Sequence, residues 1–383
     1  MTGMRMKKRI AAVLLSLLTL FSASCGVLEM READPEPLPV TDRLLEQARK
    51  PAEAEAGEQL PGLQLYTLPE EEAVEPVVTF AFAGDILIDT FIITDAARKA
   101  GEGQNYSFLR TFSGVYRNLE VADVTVGFDS SATHPKGDSD PTHRTPREAL
   151  ETLSAAGYDV LNTLAWQDEK GLIADCGMEG ISTASGGTNA FSAEIKGVNV
   201  SVLAVGGEAL PIGSDAANAR IGEEAENSDF LVVMADWTPG MTSGEQCAAA
   251  YYMAEAGADV IVGTGNSVGS VDWLERLDGG KTLVAYSLGN LLSTATSYEN
   301  LTGGIFTFTA DLRSGVVSVR DVTLTPTFTH MEAGRREVQV FPLSSYRDEL
   351  AGEHYIRGLT TDALRSYIRS VVPAVCLPNE YRD

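Results

Sequence analysis

A layered α/β fold is the architecture this sequence predicts, and three features predict it. Apolar runs of strand length alternate with helical patterns along the folded part of the chain. No segment recurs at a fixed period, which sets solenoid architectures aside. Hydrophobic residues make up 44% of 383 residues that include 36 glycines. That is apolar surface enough for one large domain or two smaller ones.

The elements follow in order. "VVTFAFAGD" (77–85) has the continuous apolar character of a buried strand and ends in Gly84-Asp85. "VADVTVGFD" (121–129) predicts a second strand. In "PREALETLSAAGYDVLNTLA" (146–165), Leu150, Leu153 and Ala156 fall at helical spacing, Gly157 stops the helix, and a strand follows. "NVSVLAVGG" (199–207), "DFLVVMADW" (229–237), "GADVIVGTG" (257–265) and "KTLVAYSLGN" (281–290) repeat the strand pattern, with "CAAAYYMAEAG" (247–257) as an intervening helix. A β-rich stretch covers 304–329, and "TDALRSYIRSVV" predicts a surface helix near the C-terminus, beyond a basic patch at Arg335-Arg336. Ligand sites of α/β sheets lie at strand C-termini, so the residues that end each strand are the ones to examine.

The N-terminus reads as targeting. Arg5, Lys7, Lys8 and Arg9 precede an apolar stretch from Ile10 to Phe21, too short to span a bilayer and of the length of a signal h-region. Ser22-Ala23-Ser24-Cys25-Gly26 closes it and resembles a bacterial lipoprotein signal, with Ser22 where leucine is usual. That resemblance makes Cys25 the lipidated residue and the protein extracytoplasmic, anchored to a bacterial membrane. Residues 26–75 are rich in Glu, Pro and Ala; such a segment buries too little apolar surface to offset its ordering entropy and is expected to be a tether, with room for a short helix over 42–50. The expected organisation is therefore a signal over 1–25, a tether over 26–75, the α/β domain over 76–330 and an extension over 331–383 that packs on it. Beyond Cys25 only Cys176, Cys247 and Cys376 remain, with no C-x-x-C pair, so neither a disulfide framework nor a zinc site is indicated. A formal charge of −25 excludes nucleic acid as a partner, because phosphate would be repelled.

One motif suggests chemistry. Gly265-Asn266-Ser267-Val268-Gly269 matches the G-x-S-x-G elbow of α/β-hydrolases, in which the serine is the nucleophile. That mechanism needs an acid and a histidine further along the chain, and His330 and His354 are the downstream histidines.

Taken in order, "FAGDILID" (82–89), "HRTPREALETLSAAGYDVLNT" (143–163), "AEAGADVIVGTG" (254–265) and "AYSLGN" (285–290) resemble the CapA family of bacterial poly-γ-glutamate capsule synthesis proteins. The resemblance runs from about Val77 to about Thr294. It implies a four-layer α-β-β-α sandwich of the calcineurin-like metallophosphoesterase type. It also implies metal ligands at five strand ends: Gly-Asp, Asn-Leu-Glu, Asn-Asn-His, His-Trp-Gly and His-Pro-His. Compared with that pattern, this chain keeps Gly84-Asp85 and departs elsewhere. It has Phe128-Asp129-Ser130, then Ala165-Trp166-Gln167, then Asp236-Trp237-Thr238, then Gly265-Asn266-Ser267. Ser267 thus stands where the family has its last histidine, which accounts for the elbow match by replacement. None of the four histidines, His134, His143, His330 and His354, occupies a family ligand position.

Two functions compete on these residues. The first is a CapA-like lipoprotein of capsule or envelope polymer assembly, non-catalytic, with a lost metal centre. Its partners would be the membrane through its lipid anchor, an envelope polymer or capsule synthase components. Phe128, Trp166 and Trp237 would then line a pocket able to stack on a sugar or peptide plane, or would simply pack into the vacated space. The second is a metal-dependent hydrolase of phosphoesters or amides rebuilt on Asp85, Asp129 and Asp236, with Gln167, Asn266 and Asn290 beside them. Those oxygen donors suit Mg²⁺, Mn²⁺ or Ca²⁺ better than zinc, although no cofactor is the first expectation. A solute-binding lipoprotein would need two similar lobes and a hinge, and the sequence shows neither.

Overall fold

The computed structural model describes residues 75–131 and 145–382, apart from positions 165 and 185 and the side chains at 166–169. The signal, Cys25, the tether, the helix expected over 42–50, His134, His143 and the side chains of Trp166 and Gln167 lie outside the described residues.

Two sheets form the centre. The first is built from β1 (Val77–Ile86), β2 (Val124–Asp129), β3 (Val160–Thr163), β4 (Glu179–Ile181), β11 (Asn290–Leu292), β12 (Thr302–Asp311), β13 (Ser318–Glu332) and β14 (Arg336–Pro342). Its order is β14-β13-β12-β1-β2-β3-β4, with β11 pairing β1. The second holds β5 (Ala190–Ile195), β6 (Val198–Gly206), β7 (Phe230–Asp236), β8 (Val260–Gly263), β9 (Val271–Glu275) and β10 (Lys281–Ala285), in the order β5-β6-β7-β8-β10-β9. Strands β1 to β4 are parallel, as are β6, β7, β8 and β10. Their C-terminal ends therefore collect on one side of each sheet.

Strand alternation decides what each face touches. Val200, Val202, Ala204, Phe230, Val232, Met234, Val260 and Val262 of the second sheet share a buried cluster with Phe80, Phe82, Phe306 and Phe308 of the first. Phe80 meets Phe230 across the gap at 5.3 Å between ring centroids and Phe308 at 5.1 Å. The alternate residues Leu203, Val205, Leu231, Val233 and Ile261 form a separate cluster with Ala217 and Ile221 of α6 (Asp215–Glu226) and Ala250 and Met253 of α7 (Ser243–Glu255). On the other side, Ile92 and Ala96 of α1 (Thr90–Lys99), Leu150 and Leu153 of α4 (Arg147–Ala155) and Ile173 of α5 (Trp166–Asp175) pack against the first sheet. Between α1 and α4 lie two short helices, α2 (Leu109–Phe112) and α3 (Tyr116–Leu119). Helix, sheet, sheet and helix are stacked in that order, the four-layer sandwich that the resemblance implied.

Some local expectations change. The segment after Ser267, where a nucleophile elbow would need a helix, forms β9, an edge strand antiparallel to β10. β2 begins at Val124 rather than Val121. Helix α7 begins at Ser243, four residues before Cys247, because Thr242 and Glu245 form a reciprocal capping box. The division expected at 330 falls inside β13, which continues to Glu332 and pairs with β14. Residues beyond it add α8 (Asp348–Glu353) and α9 (Thr361–Val371), whose Leu364 and Ile368 enter the inner core. Among the described residues no helix is long and apolar enough to cross a membrane.

Two histidines are buried where the C-terminal segment meets β13. His330 and His354 meet edge-on with ring centroids 5.6 Å apart, and His330 Nδ1 lies 2.9 Å from the Tyr346 hydroxyl. Burial holds both down at about 4, helped by the Arg110 charge for His330 and by His330 itself for His354. Unfolded histidine titrates near ~6.5, so between that value and about 4 the unfolded chain binds more protons and stability falls as pH falls. The expected loss between about pH 7 and pH 4.5 is on the order of 2 kcal/mol per histidine. Urea midpoints at both pH values should therefore fall less on acidification for His330→Gln than for the parent; equal losses would clear the pair of responsibility.

Candidate functional site

The site begins with a strand end that only glycine permits. A Cβ on Gly84 would collide with the carbonyl oxygen of Gly289, so glycine lets β1 run against the turn before β11. The register of β1 against β2 shifts between Phe82 and Asp85, and Asp85 pairs with Asn290 on one side and Phe128 on the other. Asp85 is 7% exposed and faces the second sheet, where its carboxylate accepts a hydrogen bond from the Gly265 N–H. Asp236, at the end of β7, is near enough for its charge to act on Asp85. Thr264 Oγ1 donates to Asp236 Oδ1 at 3.2 Å and Thr183 Oγ1 to Oδ2 at 3.4 Å. Burial pushes Asp85 well above the usual carboxylate range, Asp236 adds to it, and the Gly265 N–H opposes both. Asp236 is also raised by burial, against the two threonine bonds. No lysine, arginine or histidine forms an ion pair with either carboxylate among the described residues. A pair of this kind can share a proton or accept a cation.

Asp129 does not join them. It pairs with Ile86, not Asp85, and neighbouring residues of a strand point to opposite faces. Its carboxylate instead accepts from Thr145 Oγ1 at 2.5 Å and from the Ser131 N–H at 2.9 Å. The expected meeting of Asp85, Asp129 and Asp236 is therefore corrected to a pair, and no group of three or more His, Cys, Asp or Glu able to hold a metal occurs among the described residues. The residue beside Asp85 on its own face is Phe128.

The shared aromatic mouth is also corrected. Phe128 is buried in the cluster between the sheets, whereas Trp237 belongs to the cluster on the helical side of the second sheet. Trp237 donates from Nε1 to the Tyr286 carbonyl at 2.7 Å and stacks on the Tyr286 ring. Both rings pack; neither offers a free face. Asn290 is buried and donates from Nδ2 to the carbonyls of Asn266 and Asn300, at 3.0 and 2.8 Å, tying down the loop after β8. Asn266 and Ser267 are exposed on that loop.

Ser267 is not a nucleophile. An elbow requires a helix directly after the serine, and here an isolated bridge and β9 follow. Its side-chain partner is the Tyr367 hydroxyl of α9, and the two downstream histidines are buried edge-on against each other.

The sequence reading missed three members of this neighbourhood. Thr264 ends β8 and carried a signal, being a polar residue at a strand C-terminus. Asn162 carried one too, as an amide inside the apolar run "DVLNT". It is fully buried beside Phe128, on the face that Asp85 shares, and both ends of its amide lack a hydrogen-bond partner among the described residues. Thr183 follows β4, a strand too short to recognise by periodicity.

The imidazole-rich binuclear centre that the resemblance implied does not fit these donors. Two carboxylates and hydroxyls meet, Phe128 fills the place of an amide ligand, and the described histidines are remote and neutral. Asp85→Asn removes the buried charge and keeps an oxygen for the Gly265 N–H. A raised carboxylate means that the native state holds its proton longer, so stability falls as pH rises above ~4. In the presence of chelator the variant should melt at or above the parent temperature near pH 7, with a gain on the order of 1 kcal/mol. A clearly lower melting temperature would show that Asp85 has a stabilising partner.

The chain is similar to several known proteins. Residues 174–295 match the family model of the bacterial capsule synthesis protein PGA_cap. None of the curated proteins matches the chain. Solved structures that match include a novel phosphatase from Mycoplasma pneumoniae, at 13% identity and a TM-score of 0.41, covering 72% of this chain and 99% of that one. A hypothetical protein from Thermus thermophilus matches at 14% identity and 0.39, covering 64% and 99%. Vps29 of Entamoeba histolytica, complexed with zinc, matches at 11% and 0.23, covering 52% and 98%. The likeness to the bacterial capsule synthesis protein PGA_cap thus rests on residues 174–295, less than half of the chain.

Proposed function

We propose that the protein is a lipid-anchored, cell-surface member of this family that acts in capsule or envelope polymer assembly as a binding or scaffold component, without the hydrolytic metal centre. The observation that carries the reading is the composition of the strand-end site: Asp85 and Asp236 meet, Asp129 turns to the opposite face, and Phe128 stands where a ligand is expected. The proposed anchor is Cys25, and the reading is supported by the apolar stretch Ile10–Phe21 followed by the small residues Ser22-Ala23-Ser24 ahead of it. The acidic segment over 26–75 would hold the sandwich away from the membrane. Polymer and synthase partners come from the family alone. A net charge of −25 means that any polyanionic polymer needs bridging cations or a locally basic surface.

A second reading keeps one specific observation in its favour. A buried and a half-buried carboxylate that pair with no cation among the described residues are an attractive place for a hard cation, and a hydrolase acting on phosphoesters or amides would use it to polarise an oxygen or activate water. Its donor set would be Asp85 and Asp236, without Asp129.

Elemental analysis of the purified protein, followed by calorimetric titration with Mn²⁺, Zn²⁺, Mg²⁺ and Ca²⁺, separates the two. The expected result is no stoichiometric metal and no saturable binding at millimolar ion. One equivalent of metal that disappears in Asp85→Ala would reverse the assignment and make phosphoesters and amides the substrates to screen.

A further inference from the structure

The sharpest unassigned feature is a basic cleft in a strongly acidic protein. It has a volume of about 400 Å³ and lies between α1, α2 and the hairpin joining β13 to β14. Arg98, Lys99, Arg110 and Arg336 line it, against Asp95, Glu332 and Glu337.

Two of those carboxylates are already committed. Asp95 is buried and accepts from the Glu337 N–H on Oδ1 and the Val338 N–H on Oδ2 at 3.0 Å each, sealing the outer edge of β14, while Lys99 Nζ sits 2.6 Å from Oδ2. Glu337 pairs with Arg110 at 2.8 Å. What remains is Glu332 against two guanidinium groups. Arg98 is 47% exposed and reaches Asp95 only at 3.8 Å. Arg336 is exposed, and its side chain forms no ion pair or hydrogen bond among the described residues.

The hairpin backbone holds Arg336 there. The register slips between His330 and Glu332, and Arg335 and Glu337 sit in the left-handed region at φ 52° and 54°. Non-glycine residues persist in that region when their surroundings over-determine them, and bulges at sheet edges re-aim side chains. Arg335 is turned away, its guanidinium 4.2 Å from the centre of the Phe91 ring and bonded to Thr294 Oγ1 at 3.1 Å. Arg336, the first residue of β14, is left lining the cleft. The surplus charge also reaches the interior, where Arg110 and Lys99 add to the burial that keeps His330 neutral.

We infer that this cleft binds a phosphate-class oxyanion, gripped by the guanidinium forks of Arg98 and Arg336. The two forks come from different walls, one on a helix and one on a hairpin. A tetrahedral oxyanion offers oxygens to both, whereas a planar carboxylate offers its two oxygens to one fork. The phosphate is either a free anion or the headgroup of a lipid, and the site is independent of how Asp85 and Asp236 are read.

The test uses the full chain carrying Cys25→Ser, so that no acyl anchor contributes. Inorganic pyrophosphate is titrated calorimetrically at low ionic strength, and retention on phosphatidic acid vesicles is measured in parallel. Saturable binding of either probe, weakened at least ~10-fold in Arg98→Gln/Arg336→Gln, supports the site, because charge-assisted bonds of this kind are worth that much. Vesicle retention without pyrophosphate binding assigns the phosphate to a lipid headgroup; the reverse assigns it to a soluble anion. Both substitutions are at exposed positions, and Glu332→Gln, which removes the opposing charge, should tighten binding. Absence of both forms of binding, binding unchanged in the double variant, or equal competition by glutarate would each overturn the assignment.

Discussion

The aromatic contact between the two sheets is the interaction on which the rest depends. Phe80 and Phe308, from adjacent strands of one sheet, meet Phe230 of the other at 5.3 and 6.2 Å between ring centroids, and Phe82 and Phe306 pack beside them within the first sheet. Such pairs add about 0.5–1.5 kcal/mol each beyond the area they bury. Their greater consequence is geometric. Once these rings lock the sheets face to face, alternation assigns every other strand residue to the gap and every remaining one to the helices. The strand ends that share the gap side then share a site.

That constraint explains the composition of the strand-end site. Asp85 lies on the gap side after the register shift next to Gly84, and Asp236 ends a strand of the facing sheet. Asp129 is one residue past the gap-facing Phe128, and one residue is a change of face. A carboxylate can therefore be adjacent in the motif and absent from the site. Phe128 and Trp237 end on different sides of the second sheet for a similar reason. The fold keeps the geometry that assembles strand ends while the residues there supply packing and a tight polar loop.

The basic cleft arises from a different problem, an exposed sheet edge. Among the described residues β14 has no neighbouring strand on its outer side, and unpaired backbone groups on an edge invite association. Asp95 covers two N–H groups and Lys99 donates to the Val338 carbonyl at 3.1 Å, so side chains of α1 replace a strand. Closing the edge consumes the carboxylate and leaves the neighbouring guanidinium groups with less opposing charge than they started with. A structural solution thereby creates an electropositive surface on an acidic protein.

By itself the sequence determined the layered α/β class, most of the long buried strands and the list of strand-end residues. These are legible because a strand buried on both faces must be continuously apolar, and its end is marked by glycine and a polar residue. β4, β9 and β14 were not legible: β4 has three residues, and the other two lie at edges, where polar residues dilute the pattern. Tertiary structure alone decided which strand-end residues meet. The side a residue faces depends on a single-residue register shift, as at Asp85, and no periodicity in the sequence records that shift. It also decided that Asn162 lies buried without a partner among the described residues, that Trp237 packs, and that Arg336 overlooks a cleft, because each depends on neighbours distant in the chain.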